Sequence, residues 1–217
     1  MGGDSQRVPL TRADKLIDGW DEWFFTEFHH SAPYNFRFYS MQICFNWLRQ
    51  VLTAPYTIVE TGTIRSEKWE IGDGMSTLVF GSFCHYYGGR LFTVDINPEH
   101  LRRSREMTKQ YERSIEYILS DSVAFLEKFK EPIDLLYLDS LDYEWDEDPQ
   151  SQKHLPSQRH NSAELQAAYP NLHDQSIILI DDFFLPKGGK GVLSRDFLLN
   201  KGWIEVFKLQ QGVYVKK

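Results

Sequence analysis

The segments IDLLYLD (residues 133–139) and IILIDDFF (residues 177–184) each run from apolar residues directly into carboxylates. Neither segment alternates polar and apolar residues, as a strand with one solvent-exposed face would. Both are short and rich in Ile and Leu, which is typical of parallel strands buried on both faces. They therefore predict a parallel sheet whose strands end in acidic side chains.

The same pattern extends over residues 56–217. Apolar strands are predicted at YTIVETG (56–62), RLFTVDI (90–96) and SIEYILSD (114–121), and helical stretches separate them. Near the C-terminus, IEVFKL and GVYVKK are joined by a Gln-Gln-Gly turn, which only an antiparallel pair allows. We therefore predict an α/β fold: a doubly wound, mostly parallel seven-stranded sheet with a C-terminal antiparallel hairpin.

Residues 1–55 are predicted to form an N-terminal helical extension or lid, ahead of a domain at 56–217. Apolar and aromatic residues recur at helical spacing in LIDGWDEWFFTEF (16–28) and FRFYSMQICFNWLRQVL (36–52), and Pro33 separates the two segments. Core packing and a lid over a pocket both account for this aromatic stripe. The polar stretch 144–160 has no periodicity and is predicted to be a long loop of the kind found at active sites.

The composition and net charge of the chain limit the kinds of molecule that the protein is expected to bind. The chain has 217 residues and a net charge of −7, which does not favour a polyanion such as nucleic acid. No apolar run reaches the length of about 18–20 residues that a membrane span needs. Cys44 and Cys84 lie in apolar surroundings without metal or disulfide spacing. We expect a cytoplasmic protein without nucleic-acid or membrane partners, and the aromatic N-terminal helices could support a homodimer.

Every predicted parallel strand ends in at least one acid. Because ligands bind outside the carboxyl ends of the strands in open parallel sheets, these acids mark a candidate site. The residues at the five strand ends are Glu60, Gly62 and Thr63; Asp95; Asp121 and Ser122; Asp139 and Asp142; and Asp181 and Asp182.

The first two strand ends suit a nucleoside ligand. Asp95, at the end of the second strand, can accept hydrogen bonds from ribose hydroxyls. Gly62 lets a ligand approach the backbone closely, and the helix start near Ser76 and Thr77 favours a carboxylate or a phosphate. The glycines are separated by IRSEKWEI (64–71), which argues against a dinucleotide enzyme.

Asp139, Asp181 and Asp182 predict a cation site. Carboxylates gathered at one apolar edge repel each other and cannot all stay ionised without a neutralising cation. Oxygen ligands without thiols suit a hard divalent ion, Mg²⁺ first, with Mn²⁺ or Ca²⁺ as alternatives. Taken singly, Asp181 could instead cap a turn and Asp182 could face water.

Residues 56–217 resemble the class I S-adenosylmethionine (SAM)-dependent methyltransferases. The resemblance rests on ETGT (60–63), VDINPEH (94–100), SDS (120–122), DLLYLDS (134–140), ILIDDF (178–183) and the final hairpin. Within that superfamily the chain is most similar to metal-dependent O-methyltransferases of the catechol and caffeoyl-CoA type and of the sugar type. The resemblance implies a Rossmann-like fold and methyl transfer.

The resemblance also implies roles for individual residues. The amino-acid end of SAM would be held by Glu60, Gly62, Thr63, Ser76 and Thr77. The rest of the cofactor site would comprise Asp95 at the ribose, Asp121 and Ser122 beside the adenine, and also Ile96 and Asp139. The metal would be bound by Asp139, Asp181 and Asp182, and the matching candidate for the catalytic base is Asp142. Independently of the resemblance, His160 from the predicted loop is a second candidate for the base, or else a helix-start residue that faces water.

Three features depart from the family pattern. The IRSEKWEI insertion interrupts the glycine motif, and residues 1–55 match no segment that we can name. Asp142 follows Asp139 by three residues, whereas the second acid of the sugar type follows by two.

The hypothesis is a metal-dependent O-methyltransferase acting on a hydroxyl of a sugar, a natural product or a catechol-like acceptor. Two alternatives stay open at this point. One is a metal-independent methyltransferase of the same class. The other is a Rossmann-like binding protein, or a sugar- or lactam-modifying enzyme, without methyl transfer.

Overall fold

A computed structural model describes residues 19–28, 36–66 and 75–217. Pro33, most of the IRSEKWEI insertion and the acidic-glycine pair at 73–74 lie outside the described residues. The described helices are α1 (Trp20–Trp23, continued by a π-helical turn Phe24–Phe28), α2 (Arg37–Val51), α3 (Ser76–Tyr87), α4 (Pro98–Met107), α5 (Ser122–Lys128), α6 (Leu155–Ala168) and α7 (Val192–Asn200). The strands are β1 (Tyr56–Thr61), β2 (Gly89–Asp95), β3 (Ile115–Leu119), β4 (Ile133–Leu138), β5 (Leu172–Ile180), β6 (Trp203–Lys208) and β7 (Gly212–Lys216).

The seven strands form one sheet in the order β3-β2-β1-β4-β5-β7-β6. Strands β1 to β5 are parallel, while β7 is antiparallel to both β5 and β6. The predicted fold class is confirmed, including the closing hairpin. The chain runs from β1 outward to β2 and β3, and then crosses to β4 on the other side of β1. The strand order therefore reverses between β1 and β4, and such a switch point is where open α/β sheets bind ligands.

The central strands β1 and β4 are buried on both faces, as their composition predicts, whereas β3 at the sheet edge is only partly buried. On β4, Leu135 and Tyr137 face the layer formed by α1, α2 and α3, whereas Leu136 and Leu138 face α5, α6 and α7. All four side chains are buried. A strand covered on both faces has no solvent-exposed positions, so its polar and apolar residues do not alternate, which explains the continuous apolar runs.

Many of the described N-terminal aromatic residues belong to the core, whereas Phe25, Phe36 and Tyr39 are exposed. Trp20, Phe24 and Phe45 are buried, and the ring of Trp20 stacks on Phe24 with their centroids 5.0 Å apart. The indole N–H of Trp20 donates to the hydroxyl of Ser82 on α3 at 2.9 Å. These contacts bear out core packing for the buried part of the stripe, and the lid and the domain boundary after residue 55 stay predictions.

The predicted loop at 144–160 is partly wrong. Helix α6 begins at Leu155, so residues 155–160 are helical rather than loop. Pro156 lies in the first turn, where a missing N–H costs nothing, and the sparse apolar residues there hid the helical period. No helix in the described part of the chain combines the length and hydropathy of a bilayer crossing.

Candidate functional site

Backbone hydrogen bonds align the carboxyl ends of the parallel strands. The N–H of Gly62 donates to the carbonyl of Val94 at 2.8 Å, and that of Asp139 donates to the carbonyl of Thr61 at 3.1 Å. The N–H of Asp181 donates to the carbonyl of Leu138 at 3.2 Å. The acidic strand ends therefore line one edge, as the parallel sheet predicts.

Gly62 begins the turn after β1 and lies against the end of β4. Its φ is +82°, and a Cβ at this position would lie 2.6 Å from the carbonyl oxygen of Asp139. Glycine is required here on both grounds, because a side chain would meet backbone in a conformation that L residues rarely adopt. The close approach keeps the switch point between β1 and β4 free of side-chain bulk.

Glu60 anchors the start of α3. Its carboxylate is buried and accepts hydrogen bonds from the hydroxyls of Ser76, Thr77 at 2.7 Å and Thr93 at 2.7 Å. The hydroxyl of Thr77 also lies 3.1 Å from that of Thr63. In this structure Glu60 positions the helix start through these hydroxyls, and its predicted direct contact with SAM remains a prediction.

Asp95 lies at the end of β2 with its carboxylate largely covered. One oxygen accepts from the N–H of Asn97 at 2.7 Å, and the other lies 3.3 Å from Nδ1 of His100. Ile96, the next residue, is 72% exposed. An oriented carboxylate beside an exposed apolar side chain matches what a nucleoside would contact.

Asp121 and Ser122 begin α5. The carboxylate of Asp121 caps the helix by accepting from the N–H of Ala124 at 2.9 Å. The hydroxyl of Ser122 lies 3.1 Å from Nε2 of His160, so α6 brings this histidine to the β3 side of the edge. Glu164, 3.4 Å from the same nitrogen, raises the pKa of His160 through its hydrogen bond and its charge, against the opposing effect of burial.

Asp142 lies apart from the buried carboxylates. Its side chain is 72% exposed, and both of its oxygens accept from Nη1 of Arg65, at 2.7 and 2.9 Å. An exposed carboxylate paired with an arginine is a modest candidate for a general base, and this role stays a prediction.

Lys190 connects Asp139 and Asp182. Its Nζ donates to Oδ1 of Asp139 at 2.6 Å and lies 3.0 Å from Oδ2 of Asp182, while its side chain is only 2% exposed. Burial opposes the charge, but the carboxylates of Asp139, Asp182 and Asp181 outweigh burial and raise the pKa of Lys190. Lys190 is therefore a buried cation enclosed by carboxylates.

Asp181 is fully buried and bound by groups of the chain. Its Oδ2 accepts from Nε of Arg37 at 2.8 Å and from the hydroxyl of Tyr137 at 2.7 Å, and its Oδ1 accepts from the N–H of Asp182 at 2.7 Å. Burial works against ionisation, but the charges of Arg37 and Lys190 prevail and lower the pKa of Asp181 to about 2. Because Arg37 lies on α2, the N-terminal segment reaches the centre of the site.

The three carboxylates do not fit the predicted Mg²⁺. A divalent ion needs carboxylate oxygens directed at one point, yet both oxygens of Asp181 are occupied and Lys190 stands between Asp139 and Asp182. Across residues 19–28, 36–66 and 75–217, no group of three or more His, Cys, Asp or Glu residues is placed to hold a metal. Two cations of the chain, Arg37 and Lys190, offset part of the repulsion that predicted a metal. Burial and the neighbouring carboxylates nevertheless raise the pKa of Asp139 to about 8.

A sequence model of the methyltransferase domain family matches residues 69–183, which is more than half of the chain. The chain belongs to this family. It is therefore a SAM-dependent methyltransferase, and the alternative of a protein without methyl transfer is set aside. No curated protein sequence matches the chain significantly.

Solved structures of other methyltransferases share the fold at low identity. The SAH-bound methyltransferase PaMTH1 of Podospora anserina superposes with a TM-score of 0.58 and 15% identity over 100% of both chains. CalS11, a TDP-rhamnose 3'-O-methyltransferase of calicheamicin biosynthesis, gives 0.56 and 18%, covering 95% of this chain and 91% of its own. An rRNA methylase from Streptococcus thermophilus gives 0.52 and 12%, covering 81% of this chain and 95% of its own.

Sequence reasoning missed three residues of the methyltransferase site: Arg37, Tyr137 and Lys190. Arg37 is a charged residue between two phenylalanines in an aromatic helical segment, and Lys190 stands among glycines shortly after the acidic pair. A charged side chain at either position needs an explanation, and this was the feature of the sequence that could have identified both residues. Tyr137 carries no such signal, because a tyrosine in a buried strand fits the apolar pattern.

Proposed function

We propose that this methyltransferase transfers a methyl group to a hydroxyl oxygen of a small molecule, such as a sugar, a natural product or a catechol-like acceptor. The observation that carries the proposal is the polar centre formed by Asp139, Lys190 and Asp182 at the ends of β4 and β5. Hydroxyls can donate to its carboxylates and accept from its ammonium. An acceptor rich in hydroxyls is therefore the chemistry that suits it.

Two further observations support a small acceptor. CalS11, which is named for 3'-O-methylation of a nucleotide sugar, covers 95% of this chain, so the likeness includes most of the N-terminal segment that carries Arg37. The rRNA methylase covers 81% of this chain, so its likeness extends over less of the chain than that of CalS11. The net charge of −7 also favours a small molecule over a polyanion such as RNA.

The residues at the β1 and β2 ends fit SAM. Asp95 would bind ribose hydroxyls, Ile96, Asp121 and Ser122 would border the adenine, and the α3 start would hold the amino-acid end. SAM supplies a methyl group carried on a sulfonium sulfur. We propose a small-molecule acceptor as the partner, and a homodimer through the N-terminal helices as a secondary expectation.

The chain must also accept a proton. As the bond between the acceptor oxygen and the methyl carbon forms and the carbon–sulfur bond breaks, the hydroxyl proton passes to a base, leaving a methyl ether and SAH. His160 and Asp142 are the candidates. His160 is the more enclosed of the two, and Asp142 is the nearer to Asp139 in sequence.

Mass spectrometry of SAH and methylated products tests the proposal. The purified protein is incubated with SAM and separate panels of nucleotide sugars, catechols and ribosomal RNA. We expect SAH to form together with a methyl ether of a hydroxylated small molecule, and Asp139→Asn to reduce its formation. Methylation of RNA without any small-molecule product would overturn the proposal.

A further inference from the structure

The loop after β5 is built to place Lys190. It contains LPKGGKG (185–191), in which Gly189 has a φ of +63° and Gly191 packs on Phe183. A Cβ at Gly189 would lie 1.7 Å from the carbonyl oxygen of Asp182, and one at Gly191 would lie 2.4 Å from the ring of Phe183. Only glycines let the backbone fold this closely over the end of β5.

Helix α6 holds this loop in place. Nε2 of Gln158 donates to the carbonyl oxygen of Gly189 at 2.8 Å and to that of Lys187 at 3.2 Å. Gln158 is itself buried. Lys190 therefore projects from a loop fixed on both sides, unlike a surface lysine that reaches an acid by chance.

The backbone of Asp182, the second carboxylate beside Lys190, is in a strained conformation. Asp182 has a φ of +61°, a conformation that costs a non-glycine residue of order 1–3 kcal/mol and persists only where its surroundings enforce it. This residue nevertheless keeps its carboxylate 3.0 Å from the Lys190 ammonium. The ion pair is thus part of the architecture of the site.

The charges of the centre nearly balance without any added ion. Asp139, Asp181 and Asp182 bring three carboxylates, while Arg37 and Lys190 bring two cations. An additional divalent ion would have to displace a buried ammonium from two carboxylates at 2.6 and 3.0 Å. Desolvation makes such buried charges costly to leave unpaired, so displacement is strongly opposed.

On the basis of the proposed function, we propose that the Lys190 ammonium is the resident cation of the acceptor site, in the position that a divalent ion would otherwise take. Two of its three N–H groups serve Asp139 and Asp182, and we assign the third to an oxygen of the bound acceptor. Lys190 then fixes the carboxylates and supplies positive charge where the hydroxyl becomes negative. Methyl transfer needs no added metal.

Titration with Mn²⁺, followed by the electron paramagnetic resonance signal of the free ion, tests this directly. We expect no stoichiometric binding by the unmodified protein. Lys190→Ala, which opens the space between the carboxylates, should bind one Mn²⁺ per chain at least about tenfold more tightly than the unmodified protein. Lys190→Arg keeps the cation and should not gain this binding.

Lys187→Ala is the matched control, because Lys187 lies on the same loop but its Nζ donates to the carbonyl of Ser151 at the surface. It should behave as the unmodified protein does. Stoichiometric Mn²⁺ binding by the unmodified protein that Asp139→Asn abolishes would overturn the proposal. So would a folded Lys190→Ala variant that binds Mn²⁺ no better than Lys187→Ala.

The methyl-transfer assay gives a second readout that does not depend on the folding of any variant. Full activity in EDTA supports the proposal, and activity lost to EDTA and restored by Mg²⁺ contradicts it. Because Mn²⁺ binding is measured without an acceptor, failure to find a methylated product would count against the proposed function alone. The metal titration would still decide the role of Lys190.

Discussion

The ion pair between Arg37 and Asp181 is the most deeply buried charge contact of the site. The two side chains are 3% and 0% exposed, and their closest atoms lie 2.8 Å apart. A buried pair adds little stability over an apolar pair of similar volume, but removal of one partner leaves a charge without water or counter-ion. Mutation of one partner alone should therefore lower the free energy of unfolding by a large amount.

We expect Arg37→Met to lower the free energy of unfolding by about 3–5 kcal/mol, because Asp181 loses its main counter-charge. Arg49 lies on the same helix, α2, and pairs with Asp21 at the surface. Arg49→Met should cost about 1 kcal/mol or less. Urea unfolding at neutral pH measures both, and equal losses would show that the buried pair has no special role.

His160 should make stability depend on pH. Its folded pKa is raised by Glu164, so its contribution is fully present below the unfolded value of about 6.5 and is lost as pH rises through the folded pKa. His160→Gln removes this contribution. The stability difference between the unmodified protein and the variant should shrink with rising pH across that window, and a difference that grows instead would reverse the sign of the assigned shift.

At the scale of elements, the turn after β1 lies at the switch point of the sheet, where we propose that SAM binds. Gly62 and Gly202 share nearly the same backbone conformation, with φ of +82° and +83°. Their surroundings differ, since a Cβ on Gly202 would meet nothing within 4 Å. Alanine substitutions at these two glycines therefore separate the effect of backbone strain from the effect of close packing.

We expect Gly202→Ala to cost about 1–2 kcal/mol from backbone strain alone. Gly62→Ala should cost more, because its Cβ would collide with the backbone of Asp139, and it should also weaken SAM binding. Thermal unfolding with and without SAM measures both effects. Similar losses in the two variants, with SAM binding intact, would remove Gly62 from the site.

The strand ends could be predicted from sequence, but the partners of their side chains could not. Apolar runs that stop at Asp95, Asp139 and Asp181 imply one acidic edge, because parallel strands end on the same side. The cations beside these carboxylates are Arg37 and Lys190, and they come from elements that are far from each other in sequence. The start of α6 was missed because its first turns carry few apolar residues.

At the scale of the whole molecule, the N-terminal segment and the sheet share one core. Trp20, the helix α2 and the strands β1 and β4 contribute to the same apolar cluster. Arg37, on that helix, lies among the acids of the site. Stability and activity should consequently respond together to changes in this segment.

We expect Trp20→Ala to lower the free energy of unfolding by about 3–5 kcal/mol, because the buried ring and its hydrogen bond to Ser82 are lost. Trp145 is 48% exposed, so Trp145→Ala should change stability by about 0.5 kcal/mol or less. Denaturant midpoints of the two variants provide the comparison. A small effect at Trp20 would mean that the segment packs more loosely than its contacts indicate.

Calorimetric titration with SAM tests the central claim, that the acidic edge of the sheet is the cofactor site. We predict one SAM bound per chain, with a dissociation constant on the order of micromolar. Asp95→Ala should weaken binding at least about tenfold, since ribose hydroxyls lose their acceptor. Asp196→Ala, which removes an exposed acid on α7, should bind as the unmodified protein does. Absence of SAM binding by the unmodified protein, or unchanged binding by Asp95→Ala, would contradict the account.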